Sequence, residues 1–299
     1  MAVETLTTPR TDLPNQYVDV EARELDFVSR FGAAWNSLQE ILGIMNPVKK
    51  ENGTKLVSYT AEVTLQDGDV PEGAVIPYSK AKISETGHAD LAIKKYSKAT
   101  SIEEVHKYGT KVAVQKTDDA FLNELQGNLI DDFYDTLTDN SDAMGESYST
   151  FQMAVAMAIG KVKDKFKKIR KNANEVVVFV NTLDAYKYLG AAEITTQTAF
   201  GLDYMENFMG ARTLIISSEI PENKVIAIPA ENIVLYYIDP ATQFAELGLV
   251  YTTDGDTNLI GFHAQGNYTT AVGESFALMG MKLWLEYADG VAINTISNP

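Results

Sequence analysis

Apolar residues in this chain fall into blocks with different periods. Phe27, Phe31, Ala34, Leu38, Ile41 and Leu42 recur at helical spacing, and Gly43 followed by Asn46-Pro47 is placed to end that helix. Phe121, Leu125, Leu129, Phe133 and Leu137 stand at four-residue intervals and predict a long helix over residues 111–137. Its other face carries Asp118, Asp119, Glu124, Asp131, Asp132 and Asp135, which reads as a solvated or interface-facing surface. Phe151, Val155, Ile159, Val162, Phe166 and Ile169 predict a further long helix that ends in a basic run.

Strand patterns alternate with these helices. Leu56, Val57, Tyr59, Val63 and Leu65 look strand-like, and residues 175–180, Glu-Val-Val-Val-Phe-Val, form the clearest buried strand. A short helix follows Asn181-Thr182, either of which can cap it, and Gly190 closes it. Residues 213–216 and 224–229 read as buried strands joined by a turn over residues 219–223, and residues 232–238 add another. The last 50 residues repeat a strand and turn pattern around Asp254-Gly255-Asp256 and Gly266-Asn267, ending in an apolar region over residues 279–293. Residues 1–20 read as an extended arm, because Thr7, Thr8, Pro9, Thr11, Pro14 and Asn15 break any periodicity.

Between the first two helices lies a long polar excursion over residues 65–104, with a return limb through Tyr96 to Ile102. It holds apolar clusters at Val70-Pro71-Glu72-Gly73-Ala74-Val75-Ile76-Pro77 and Leu91-Ala92-Ile93-Lys94-Lys95-Tyr96. An extended two-stranded excursion exposes backbone edges and apolar tips that the chain's own core does not cover. A neighbouring subunit is the natural place to bury them.

Composition narrows the function. With 299 residues and 45% hydrophobic content, the chain can bury a large core in one elaborate domain or two. A formal charge of −16 argues against a protein whose main work is gripping nucleic-acid phosphates. Without cysteine there is no disulfide framework, thiol nucleophile or thiolate metal site, which fits a reducing compartment or indifference to redox state. The first residues lack a secretory signal and no segment reaches the roughly 20 apolar residues that span a bilayer, so a soluble protein made in the cytoplasm is expected.

Candidate chemistry is sparse. Gly273-Glu274-Ser275-Phe276-Ala277 begins like a nucleophile elbow, but Ala277 replaces the final glycine, and a plain turn or strand start is the better reading. His88, His106 and His263 lie far apart without zinc-protease spacing and read as surface or loop residues. Asp254, Asp256 and Asn258 start like a calcium loop, but Leu259 and Gln265 stand where glycine and glutamate are needed, so Asp254-Gly255 reads as a hairpin turn. No catalytic, cofactor or metal site is assigned, and no enzyme is expected. Lys161, Lys163, Lys165, Lys167, Lys168, Arg170 and Lys171 form the one dense basic patch. It suits the helix macrodipole and could meet acidic faces of other subunits or DNA.

The order of these elements, an arm, an excursion, a long helix, an α/β unit and a return through strands, resembles the major capsid proteins of tailed bacteriophages with the Hong Kong ninety-seven phage fold. The local likenesses are Glu72-Gly73-Ala74-Val75-Ile76-Pro77 followed by Lys94-Lys95-Tyr96-Ser97-Lys98, Val178-Phe179-Val180-Asn181-Thr182, residues 210–218, and the turn Ile220-Pro221-Glu222-Asn223. The resemblance implies an α+β fold with an N-terminal arm and helix at 1–49 and an extended loop at 50–100. It also implies a peripheral domain at 101–149 and 245–299, holding the spine helix, and an axial α/β domain at 150–244. It further implies pentamers and hexamers closing an icosahedral shell around double-stranded DNA, with portal and scaffolding proteins as partners, in a virion assembled in the bacterial host cytoplasm. The loop-tip residues Val70, Pro71, Gly73, Val75, Ile76 and Pro77 would then make assembly contacts, and the basic patch would be intersubunit or DNA-facing. The arm is too short for a long helical scaffolding segment, so scaffolding would be separate or an upstream piece removed. The cross-linking chemistry of some relatives is not carried over, since no acceptor for Lys80 or Lys82 is recognisable. A protein-filled encapsulin compartment shares the fold, and a soluble α+β enzyme is the alternative of another class.

Overall fold

A computed structural model describes residues 16–44, 47–190, 196–199, 202–243, 248–255 and 258–297. Residues 1–15 of the expected arm lie outside the described residues. Residues 16–20 are helical, because helix α1 (Gln16–Leu42) begins directly after Asn15, the last of the residues that break periodicity. Phe27, Phe31, Trp35, Leu38 and Leu42 are buried along its inner side, and Phe27 stacks on Phe262 with ring centroids 4.0 Å apart. Gly43 ends the helix as its spacing predicts. Its φ of +66° is open to glycine, and a Cβ there would stand 2.9 Å from that of Ala230.

After the short strand β1 (Val48–Lys49) come β2 (Thr54–Thr64) and β3 (Lys80–Leu91), which pair with each other as an antiparallel two-stranded sheet, tied to the body by an isolated β-bridge between Tyr59 and Tyr287. Strand β4 (Lys94–Ser101) then leads into α2 (Ile102–Tyr108) and the long helix α3 (Thr110–Thr138). Helix α2 carries a complete capping box, in which Ser101 Oγ accepts from the Glu104 amide and the Glu104 carboxylate accepts from the Ser101 amide. Strand β5 (Ser147–Tyr148) precedes α4 (Phe151–Lys168), β6 (Val176–Asn181) and α5 (Thr182–Leu189). There follow β7 (Gln197–Ala199), β8 (Leu202–Glu206), β9 (Thr213–Ser217), β10 (Lys224–Pro229) and β11 (Ile233–Ile238). The chain ends through α6 (Pro240–Gln243), β12 (Ile260–Asn267), β13 (Val272–Leu285) and β14 (Ala292–Ile296).

Two larger sheets carry the body. The seven-stranded sheet runs β5-β14-β10-β6-β9-β8-β7, with β6 and β9 parallel and β6 and β10 antiparallel. Strand β6 is buried on both faces, which is why it reads as an unbroken apolar run. Val176, Val178 and Val180 face a core shared with Val155, Ile159, Val162 and Phe166 of α4, while Val177 and Phe179 face the larger core of α1 and α3. Asn181 ends the strand with two tasks. Its Oδ1 accepts from the Leu183 amide at 2.7 Å and so caps α5, and its Nδ2 donates to the Ile220 carbonyl at 2.6 Å, holding the turn before β10.

The other sheet is built on β13, whose fourteen residues are shared between three neighbours. Residues 272–279 lie between β12 and β4, and residues 280–285 pair with β11, which in turn carries β1. This pairing runs across the expected boundaries. The limb over residues 94–101 lies along β13 for its whole length. Strand β11 joins the β13 sheet rather than the α/β unit, whereas β5 and β14 belong to the seven-stranded sheet. Chain order alone hides this, because the chain crosses between sheets after Pro229 and returns after Leu285. Asp254-Gly255 likewise sits in a loop longer than a two-residue hairpin, closed by the paired backbone bonds between Thr252 and Phe262 at 2.9 Å.

Candidate assembly surfaces

The projecting hairpin is rooted firmly and bare at its tip. At the root, Leu56 and Leu91 pack with Ile238 and Trp284, Ser58 Oγ donates to the Leu285 carbonyl at 2.6 Å, and the Tyr59 amide donates to the Glu286 carbonyl at 2.8 Å. From Thr64 to Lys80 every residue except Val70 is exposed. Val75 is 89% exposed, Ile76 74% and Tyr78 94%, and Pro71, Gly73 and Pro77 are exposed beside them, with Val70 half-buried. The hydrogen bonds that shape the tip stay within it: the Ala74 amide donates to the Pro71 carbonyl at 3.0 Å, and the Gln66 amide to Ser79 Oγ at 3.2 Å. Sequence reasoning did not single out Tyr78, although a tyrosine following Pro77 at a tip without period is the same signal that marked Val75 and Ile76.

The basic patch divides into two populations. Lys161 pairs with Glu146 at 3.2 Å, Lys165 with Asp289 at 2.6 Å, and Lys171 with Glu286 at 3.6 Å while its ammonium lies 4.0 Å from the Tyr287 ring centre. Those three tie α4 and the turn after it to β5's approach and to the segment between β13 and β14. Lys168 pairs along its own helix with Asp164 at 2.6 Å. Lys163, Lys167 and Arg170 are exposed and make no ion pair among the described residues.

The acidic face of α3 also divides. Asp118 is buried rather than solvated: Arg23 grips it from α1 and Lys98 from β4. The spacing that put Asp118 outside the apolar stripe is right, but that side of the helix is covered by two cations instead of water. Burial pushes the Asp118 carboxyl up, and the hydrogen bonds from Arg23 and Lys98 overcome that and hold it below the usual aspartate range. Lys98 is lowered, since its own burial outweighs the help of Asp118. Asp119 pairs with Arg30 at 2.5 Å, and Asp132 with Lys94. Glu124, Asp131 and Asp135 are exposed, and Asp131 is raised by burial and by the charges of Glu219, Asp135, Glu124 and Asp132.

The residues weighed for chemistry are dispersed. Ser275 lies buried inside β13, its Oγ accepting from Arg23 at 2.9 Å, which agrees with a plain strand rather than a strand-to-helix elbow. His88 is on β3, His106 on α2, and His263 on β12 with its Nδ1 3.2 Å from Glu24. Glu24 is itself buried, accepting from the Ala264 amide at 2.6 Å and from the Thr252 hydroxyl at 2.5 Å. Among the described residues no group of three or more His, Asp or Glu could hold a metal ion, and no helix is long and apolar enough to cross a membrane.

No family model matches this sequence, and no curated protein matches it. Solved structures do match it. A virus-like particle from Pyrococcus furiosus aligns over 90% of this chain and 97% of its own, at 11% identity and a TM-score of 0.51. The capsid of cyanophage A-1(L) aligns over 87% of this chain and 92% of its own, at 11% identity and a TM-score of 0.52. The capsid of cyanophage P-SCSP1u aligns over 87% and 88%, at 9% identity and a TM-score of 0.51. These matches run over most of the chain with almost no shared sequence, and what they show is the fold: the chain has the fold of phage major capsid proteins.

Proposed function

We propose that this chain is a major capsid protein, a structural protein that assembles as pentamers and hexamers into an icosahedral shell enclosing double-stranded DNA. The observation that carries the reading is the hairpin tip, where Val75, Ile76 and Tyr78 stand in water on an element that, among the described residues, pairs with no other strand beyond its root. A free two-stranded sheet with an apolar tip costs solvation and conformational entropy that a neighbouring subunit can offset. The tip crosses onto that neighbour, and the heterologous contact it makes closes rings and then shells. The net charge of −16 suits a wall that does not trap the genome inside it. Portal and scaffolding proteins complete the assembly, which takes place in the host cytoplasm.

The test is electron microscopy and sedimentation of the expressed protein, followed by nuclease treatment and extraction of what the particles hold. Rings, shells or tubes are expected, and in particles made during infection, nuclease-protected double-stranded DNA. A protein that stays monomeric across salt, concentration and crowding conditions would overturn the shell reading. Shells filled with protein and free of DNA would replace the virion with a cargo compartment.

A further inference from the structure

We infer that the hairpin tip docks, in a second copy of this chain, on the outward stripe of α4. The inference rests on the shell reading and adds to it the acceptor surface for the tip.

Helix α4 buries Val155, Ala158, Ile159, Val162 and Phe166 against the seven-stranded sheet. Its opposite side shows Met153, Met157, Gly160, Lys163 and Lys167 at intervals of four, three, three and four, which is one continuous stripe, and Arg170 extends it past the helix end. Met153 is 53% and Met157 40% exposed, and a Cβ on Gly160 would meet nothing within 4 Å. One end of the stripe is therefore apolar and adaptable, and the other carries three cations without an ion pair among the described residues. From Met153 to Lys167 the stripe is about 21 Å long at 1.5 Å per residue.

The tip carries the complementary pattern. Asp67, Asp69 and Glu72 are exposed and have no ion pair among the described residues, and Val75, Ile76 and Tyr78 follow them. Residues 67–78 fully extended would span at most about 36 Å at roughly 3.3 Å per residue. The turn from Pro71 to Ala74, with Gly73 at a φ of +83°, shortens that reach toward the length of the stripe. Laid antiparallel, the carboxylates meet Lys163, Lys167 and Arg170, and the apolar residues meet Met153 and Met157. Charge alone would not choose this site in a chain with 41 acidic residues, since many of its surfaces are acidic. The apolar half next to the charges makes the match selective. The tip's bonds are internal and its side chains open to water, so the partner is another copy rather than the tip's own body.

Charge exchange tests it. One variant carries Asp67→Lys, Asp69→Lys and Glu72→Lys, another Lys163→Glu, Lys167→Glu and Arg170→Glu, and a third carries both sets. Each set is expected to abolish particles by microscopy and sedimentation while subunit melting stays unchanged, and the combined variant is expected to recover them. Carbodiimide cross-linking of unchanged protein, assembled from isotopically light and heavy copies, should join Asp67, Asp69 or Glu72 of one copy to Lys163 or Lys167 of another. Loss in both sets without recovery, together with no such mixed cross-link, would overturn the docking while leaving the shell reading intact. Normal particles from the α4 set, altered only in DNA content, would overturn it too, and would assign those cations to the genome. If unchanged protein forms no particles at all, the shell reading itself fails and the docking with it.

Discussion

Arg23 and Asp118 form a two-point ion pair, with Nε 2.7 Å from Oδ2 and Nη2 2.8 Å from Oδ1, and it joins the first helix to the long helix α3. Lys98 reaches the same carboxylate from β4, so one buried acid ties together α1, α3 and the strand that follows the hairpin. A planar guanidinium matched to a carboxylate fixes relative orientation as well as distance.

Replacing Asp118 with Asn leaves two cations facing a neutral amide. Breaking a buried pair from one side costs about 3–5 kcal/mol, so a large drop in urea midpoint is expected. The folded carboxyl is held below its unfolded value. Its stabilising contribution is therefore complete above the ordinary aspartate range, about pH 4, and fades as pH falls through the depressed folded value. The stability curves of the parent and Asp118→Asn proteins should converge toward low pH. A constant gap across the acid limb would show that packing, not charge, explains the loss.

Phe27→Ala tests whether α1 belongs to the subunit core. Phe27 is buried and stacked on Phe262, and a phenylalanine removed from such a site costs about 3–5 kcal/mol. Chemical denaturation of the isolated subunit should register that loss. A helix that served only as an assembly arm would leave subunit stability untouched and change particle formation alone.

The local periods in the sequence carried most of the elements. Four-residue spacing in α3, the apolar run of β6 and the Gly43 stop depend on neighbours close in the chain, and the structure agrees with each. Two kinds of information were not local. Which sheet β11, β14 and β4 join depends on partners far along the chain, and an apolar strand reads the same in either sheet. The fate of Asp118 and of the basic run depends on what covers them, and no period distinguishes Lys165 beside Asp289 from Lys167 in water. The exposed tip was legible for a simple reason: Val75 and Ile76 sit in a stretch with no helical or alternating partner, so no core of their own was available.

Lys165 and Lys167 are two residues apart and should behave differently. Lys165→Glu sets a new carboxylate against Asp289, in a pair whose side chains are 28% and 19% exposed. A loss of about 1 kcal/mol in subunit stability is expected, allowing for solvent screening, and it should shrink in high salt. Lys167→Glu should leave subunit melting within about 0.5 kcal/mol of the parent, as exposed substitutions without partners do. Equal losses from the two would mean that the basic run acts as one field.

Ile76→Asp separates folding from assembly. The side chain is 74% exposed in the subunit, so an added carboxylate there is solvated and should shift melting by less than about 0.5 kcal/mol. In the proposed shell a neighbour covers the tip and the same carboxylate is buried without a partner, at a cost of about 3 kcal/mol or more for each contact, repeated in every subunit. Particle yield by sedimentation should therefore collapse while the thermal unfolding of unassembled protein barely moves. Ile76→Val, which keeps the site apolar, should still assemble. If Ile76→Asp instead unfolds the subunit, the tip packs in its own chain; if it closes normal shells, the tip faces solvent in the assembly and another surface holds the copies together.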